Sequence, residues 1–175
     1  MSNPYTGTVA SALRKAELLL QSLEAGEAES NPLHQSALLE GTLLQLWRAH
    51  RAFLAEQGHQ LQLGFKPGGE PEAAHRLQEL TAARGKFSAE VAELVGLEEN
   101  PDSWFSAMAR CWQGLWRPAG GGAQESAANN GVQTLIPLRQ LDTNFSAGLD
   151  RESLRHWHRQ LNELVARQRA QGQEW

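Results

Sequence analysis

The chain is poor in β-branched aliphatic residues, with five Val and one Ile among 175 positions against 26 Leu and 24 Ala. Val and Ile are stiff at χ1 and suit a pleated surface, whereas Ala and Leu lose little side-chain entropy in a helix. The imbalance argues against a sheet core. Cysteine is nearly absent too: Cys111 stands alone, which rules out an intramolecular disulfide and a thiolate metal cage. Lysine is scarce, with three Lys beside 13 Arg, and the formal charge is −4. That balance argues against a nucleic-acid partner, because such binding comes mainly from neutralising phosphates. No apolar run approaches the roughly 20 residues that a membrane span needs. No basic segment followed by an apolar one opens the chain, so a signal peptide is not expected. These features together read as a bacterial, cytoplasmic protein without a membrane partner.

What is present is helical punctuation. Asn3-Pro4, Asn31-Pro32 and Asn100-Pro101 each place an N-capping side chain before a proline at the first helical position. The pattern predicts an all-α, single-domain, up-down bundle of about five helices over residues 1–175. The first runs from Pro4 to about Ala25, on a stripe of Tyr5, Val9, Ala12, Leu13, Ala16, Leu19, Leu20 and Leu23. The second runs from Pro32 to about Gln57, where Gly58 ends it. Leu33, Ala37, Leu44, Trp47 and Leu54 form one face of this second helix, and Leu39, Leu43, Leu46 and Phe53 widen the apolar arc past half the circumference. An arc that wide implies several packed neighbours. The third is expected from Pro71 to Gly96 on Leu77, Leu80, Phe87, Val91 and Leu94. The fourth is expected from Pro101 to Arg117, and the last from Asp150 to about Gln171. Between the last two, residues 118–131 are glycine-, alanine- and asparagine-rich and predict a mobile loop. Leu135-Ile136-Pro137-Leu138 follows as an extended apolar clip.

The polar residues offer little chemistry. Glu56-x-x-His59 and Glu72-x-x-His75 have the spacing of carboxylate-bundle ligands. Gly58 interrupts the first string, however, and the helix from Pro101 supplies no Glu. The Gly120-Gly121-Gly122 run lacks the Lys-Ser/Thr of a phosphate loop. No cofactor or metal is therefore expected. His50 lies inside the apolar arc of the second helix, where a buried neutral imidazole with one hydrogen-bond partner is the ordinary outcome. Cys111 reads as a small buried hydrophobe. Trp104, Trp112 and Trp116 share about a third of a helix circumference, which fits core packing or a patch for a partner or second copy. In the last helix Arg151, Arg155, His158 and Arg159 form a positive stripe beside the apolar one. This stripe is the expected interaction surface, facing solvent, with Arg151 and His158 on one face.

Arg151 followed by His156 and His158 resembles the Arg-x4–6-His motif of HEPN-type ribonucleases, which are helical bundles that usually act as dimers. The resemblance implies a phosphate-holding Arg and a proton-moving His. Where that family normally has Asn, Asp or His after the Arg, this chain has Glu152. A second resemblance spans more of the chain. The Leu-rich helix pair containing Trp47, then Leu135-Ile136-Pro137, Leu149-Asp150-Arg151, Trp157, Leu161, Leu164 and the terminal Glu174-Trp175 are similar to a family of uncharacterised proteobacterial proteins. It implies a small all-α domain of unknown function and supplies no catalytic residues. The expected role is a non-enzymatic helical interaction or structural module, which leaves a protein partner or a homo-oligomer open. The alternative is a divergent HEPN-like RNA nuclease or RNA-binding bundle.

Overall fold

In the computed structural model, which describes residues 3–26, 31–66, 68–116 and 148–172, Asn31 acts as its sequence predicts. Its side chain accepts from the backbone N–H of Leu33 and His34 at 3.1 and 3.2 Å, and Pro32 opens the longest helix. The other two Asn-Pro pairs do something related but different. Asn3 and Asn100 accept from the N–H groups of Tyr5 and Asp102, closing side-chain turns just ahead of their helices. Ser103 is the N-cap after Asn100, accepting from Ser106 N–H at 3.0 Å.

Six helices, rather than about five, make up the described residues, and these contain no strand. They are α1 (Thr6–Glu24), α2 (Pro32–Gln60), α3 (Ala74–Ala82), α4 (Ala89–Glu99), α5 (Trp104–Gly114) and α6 (Arg151–Gly172). The additional helix arises because the segment expected from Pro71 to Gly96 is broken at 83–88. Gly85 takes φ +66°, and Lys86 N–H returns to the Thr81 carbonyl at 3.1 Å. This is the left-handed helix stop that glycine favours. Ser88 then caps α4 by accepting from Val91 N–H. Phe87, expected in the core, falls in this turn and is 82% exposed. The start of α3 is capped from α4, where the Glu98 carboxylate accepts from the N–H groups of Ala74 and His75.

Gly58 does not end α2 as expected but lies within it, and its missing side chain leaves room for the following loop. A β-carbon there would collide with the Phe65 ring of the following loop. The loop is tied back by the α3–α4 turn: Arg84 donates to the Gln62 and Leu63 carbonyls and Lys86 to that of Leu61.

One buried cluster joins side chains from all six helices. Val9, Ala16, Leu43, Leu46, Phe53, Leu77, Met108, Leu154 and Leu161 are essentially inaccessible, and each large side chain buried in this way is worth about 1.5–3 kcal/mol. The α6 stripe Leu154, Trp157, Leu161, Leu164 and Val165 is buried as its spacing predicts. Asn3 Nδ2 donates to the Glu56 carbonyl at 2.9 Å, and Leu19 packs over Gly41, so α1 and α2 are antiparallel. The Arg155–Glu24 pair and the contact of His158 with the Leu13 carbonyl make α6 antiparallel to α1 as well. Helices α2 and α6 therefore run parallel, which departs from a strictly alternating bundle. The expected loop at 118–131 and the Leu135–Leu138 clip lie outside the described residues. Among the described residues no helix is long and apolar enough to cross a membrane.

Candidate functional site

The face of α2 that its periodicity assigned first to the core is left open over its first part, whereas Leu54 at its far end is fully buried. Leu33 is 60% and Leu44 49% exposed, and Ala37 is exposed as well. The other half of the arc, with Leu39, Leu43, Leu46 and Phe53, is sealed against the neighbouring helices. Farther along the open face, Trp47 leans onto α5. Its ring stacks on Phe105 and on Trp112, with centroids 5.8 and 5.1 Å apart and interplanar angles of 19° and 10°. Trp116 meets Trp112 edge-on at 5.6 Å and is 71% exposed. The four rings form a column that begins in the core at Phe105 and ends in solvent at Trp116. Offset and edge-to-face aromatic contacts of this kind add about 0.5–1.5 kcal/mol each beyond area burial, so the column is a firm platform.

Beside it lies a groove of about 410 Å³ between α1, α2 and α5, walled by Tyr5, Leu44, Trp47 and Trp112 and floored by Ala52 and Ala55. Arg48, Arg51 and Glu70 supply its polar groups. Tyr5 donates its hydroxyl to Glu70 at 3.1 Å. Burial and the Glu70 carboxylate both push the phenol pKa up. The Glu70 carboxyl is held below its usual range by its own backbone N–H, and also by Tyr5, Gly68 N–H and the nearby Arg51. Arg51 also pairs with Glu72 at 3.1 Å across an exposed edge. Arg48 has no carboxylate within salt-bridge distance among the described residues. The groove thus joins aromatic and aliphatic walls to a positive rim.

Behind the platform His50 is fully buried, 4.4 Å from the Phe105 ring and 5.8 Å from Trp47. Burial, with Arg51 adding repulsion, lowers its pKa to about 3, so the imidazole is neutral as expected. Its Nδ1 has no hydrogen-bond partner among the described residues. The Cys111 thiol is half-buried, its pKa raised by desolvation, and its Sγ donates to the Gly148 carbonyl at 3.7 Å.

The head of α6 is arranged differently from the expected stripe. Arg151, Arg155 and Arg159 are exposed, and with Glu152 and His156 they line a shallow cleft of about 490 Å³. Arg155 is paired with Glu24 of α1. His158 is not part of this cleft. It turns toward α1, where Nε2 lies 3.1 Å from the Leu13 carbonyl, an acceptor that requires the Nε2–H tautomer. Arg151 and His158 therefore do not share an open face, and it is His156 that accompanies Arg151.

The Glu-x-x-His strings are separated by the fold. Glu56 is buried and holds the Arg169 guanidinium through two 2.8 Å bonds, while His59, Glu72 and His75 face solvent. Among the described residues no three His, Cys, Asp or Glu side chains gather as a metal-ligand group. A larger cleft of about 690 Å³ follows the 63–73 loop. Arg84, one of its cations, is already committed to the Gln62 and Leu63 carbonyls.

The sequence grouped the tryptophans around α5 and set Tyr5 on the apolar stripe of the first helix, but it gave no role to Arg48, Arg51 or Glu70. The i, i+3, i+4, i+7 spacing of Leu44, Trp47, Arg48 and Arg51 was the available signal, since it places two arginines on the apolar face. Residues 4–175 match the sequence model of a family described as a family of unknown function (DUF6586). No curated protein and no solved structure matches the chain.

Proposed function

We propose that this chain, which belongs to the family of unknown function DUF6586, acts by binding a protein partner in the Trp47–Trp112 groove and not by catalysis. The observation that carries this reading is the aromatic column, which opens from Phe105 in the core to Trp116 in solvent beside an exposed Leu44. Trp, Tyr and Arg are the side chains that dominate binding energy at protein interfaces, and all three line this groove. The strongly perturbed His50 is sealed behind the platform, where a reacting group could not reach it.

A second reading puts an anionic partner at the α6 head, favoured by the cleft that Arg151, Arg155, His156 and Arg159 line. Affinity capture from the native host separates the two. Under the groove reading, a partner retained by the wild type is lost with Leu44→Glu and kept with the double variant Arg155→Glu/Arg159→Glu. The opposite pattern gives the interface to the α6 head. Retention by both variants removes both surfaces from consideration.

A further inference from the structure

We infer that the occupant of the groove is an amphipathic helix of a partner protein that carries a carboxylate beside its apolar anchor residues. This rests on the groove reading above and adds the chemistry of the partner. Three observations support it. First, the open face of α2 is a row, not a spot. It extends from Leu33 through Ala37 and Leu44 to the partly covered Trp47, about 21 Å at 1.5 Å rise per residue, and leads onto the groove's buried floor at Ala52 and Ala55. A straight apolar row beside a second helix is the geometry into which a helix lays its i, i+3, i+4 and i+7 side chains. Second, the groove volume of about 410 Å³ is near the lower end for ligand sites. It admits anchor side chains while the rest of the partner stays outside.

Third, the charges on the rim are unequal. Glu70 is held by Tyr5, and Arg51 is shared with Glu72. Arg48 has no carboxylate within salt-bridge distance among the described residues. It is exposed, one residue from Trp47, so a partner seated on the tryptophan face brings its flanking side chain to the guanidinium. A carboxylate there gains a charge-assisted hydrogen bond, whereas a lysine at the same place meets like charge.

The test uses dye-labelled synthetic helical peptides with one shared Leu/Phe face, flanked by Glu, Gln or Lys, titrated against the full chain by fluorescence anisotropy. The Glu peptide is expected to bind about tenfold tighter than the Gln peptide at low salt, and the Lys peptide most weakly. Arg48→Gln should bring the Glu and Gln peptides within about twofold of each other. Leu44→Glu, a change at an exposed position, should abolish binding of all three. Equal binding of Glu and Gln peptides by the wild type, still lost with Leu44→Glu, overturns the carboxylate inference and leaves the groove reading standing. Binding that survives Leu44→Glu overturns both. Binding of no peptide overturns this inference, while the capture experiment continues to judge the groove reading. A chain that sediments as a dimer and becomes monomeric with Leu44→Glu assigns the groove to a second copy and also overturns it.

Discussion

Leu43 and Leu44 are neighbours on α2, yet the first is fully sealed between helices and the second stands half exposed beside Trp47. Successive residues of a helix point about 100° apart, so the same residue type can meet two environments within one turn. On one side, α1 and α6 contribute to the cluster that covers Leu43, Leu46, Ala49 and Phe53. On the other, Leu33, Ala37 and Leu44 remain open. An apolar row left open is costly in water at roughly 25 cal/mol per Å², and contiguous exposed apolar surface marks interaction sites. The difference teaches that the unusual width of the α2 arc covers two environments, a sealed core face and a partly open one, and not one oversized core.

The comparison is sharpened most by cutting into the sealed face. Phe53→Ala removes a fully buried ring and should cost about 3–5 kcal/mol of unfolding free energy, read by chemical denaturation. A loss below about 1 kcal/mol would mean that the face is not the core. The next effect comes from His50. Its folded-state pKa of about 3 lies below its ordinary 6.5, so the unfolded chain binds a proton that the folded chain refuses. The stability that neutral His50 permits is complete above pH 6.5 and is lost as the pH falls from there toward 3, at up to about 1.4 kcal/mol per pH unit. His50→Leu should flatten this acid limb in a pH series of denaturation curves, and an unchanged limb would show that other groups cause it. The smallest effect belongs to the open face. Leu44→Ala should change stability by no more than about 0.5 kcal/mol, and a larger loss would move Leu44 into the core and erase the contrast.

Much of the architecture was legible along the chain. The α6 stripe could be read because Leu154, Trp157, Leu161, Leu164 and Val165 lie on one narrow face with charge all around it. The Asn31-Pro32 start was legible because a cap is a local hydrogen bond. The break at Gly85 was present as a glycine followed three residues later by Ser88, but Phe87 and Val91 continued an apolar period across it and hid the stop. The candidate site was half legible. Helical spacing grouped the tryptophans of α5, but Trp47, Tyr5 and Glu70 come from three other parts of the sequence. Local periodicity carries no information about which of them meet.

Helical class, most helix starts and the residues able to be buried follow from composition, capping and period, all of them short-range effects within the chain. Which apolar face becomes interior was decided only by the tertiary structure. That choice depends on where α1, α5 and α6 settle around α2. For the same reason His158 faces the Leu13 carbonyl and not solvent, Glu56 takes Arg169, and Leu44 with Trp47 is left as the wall of a groove. Burial belongs to pairs of surfaces brought together from distant positions, whereas a helical period describes one surface alone.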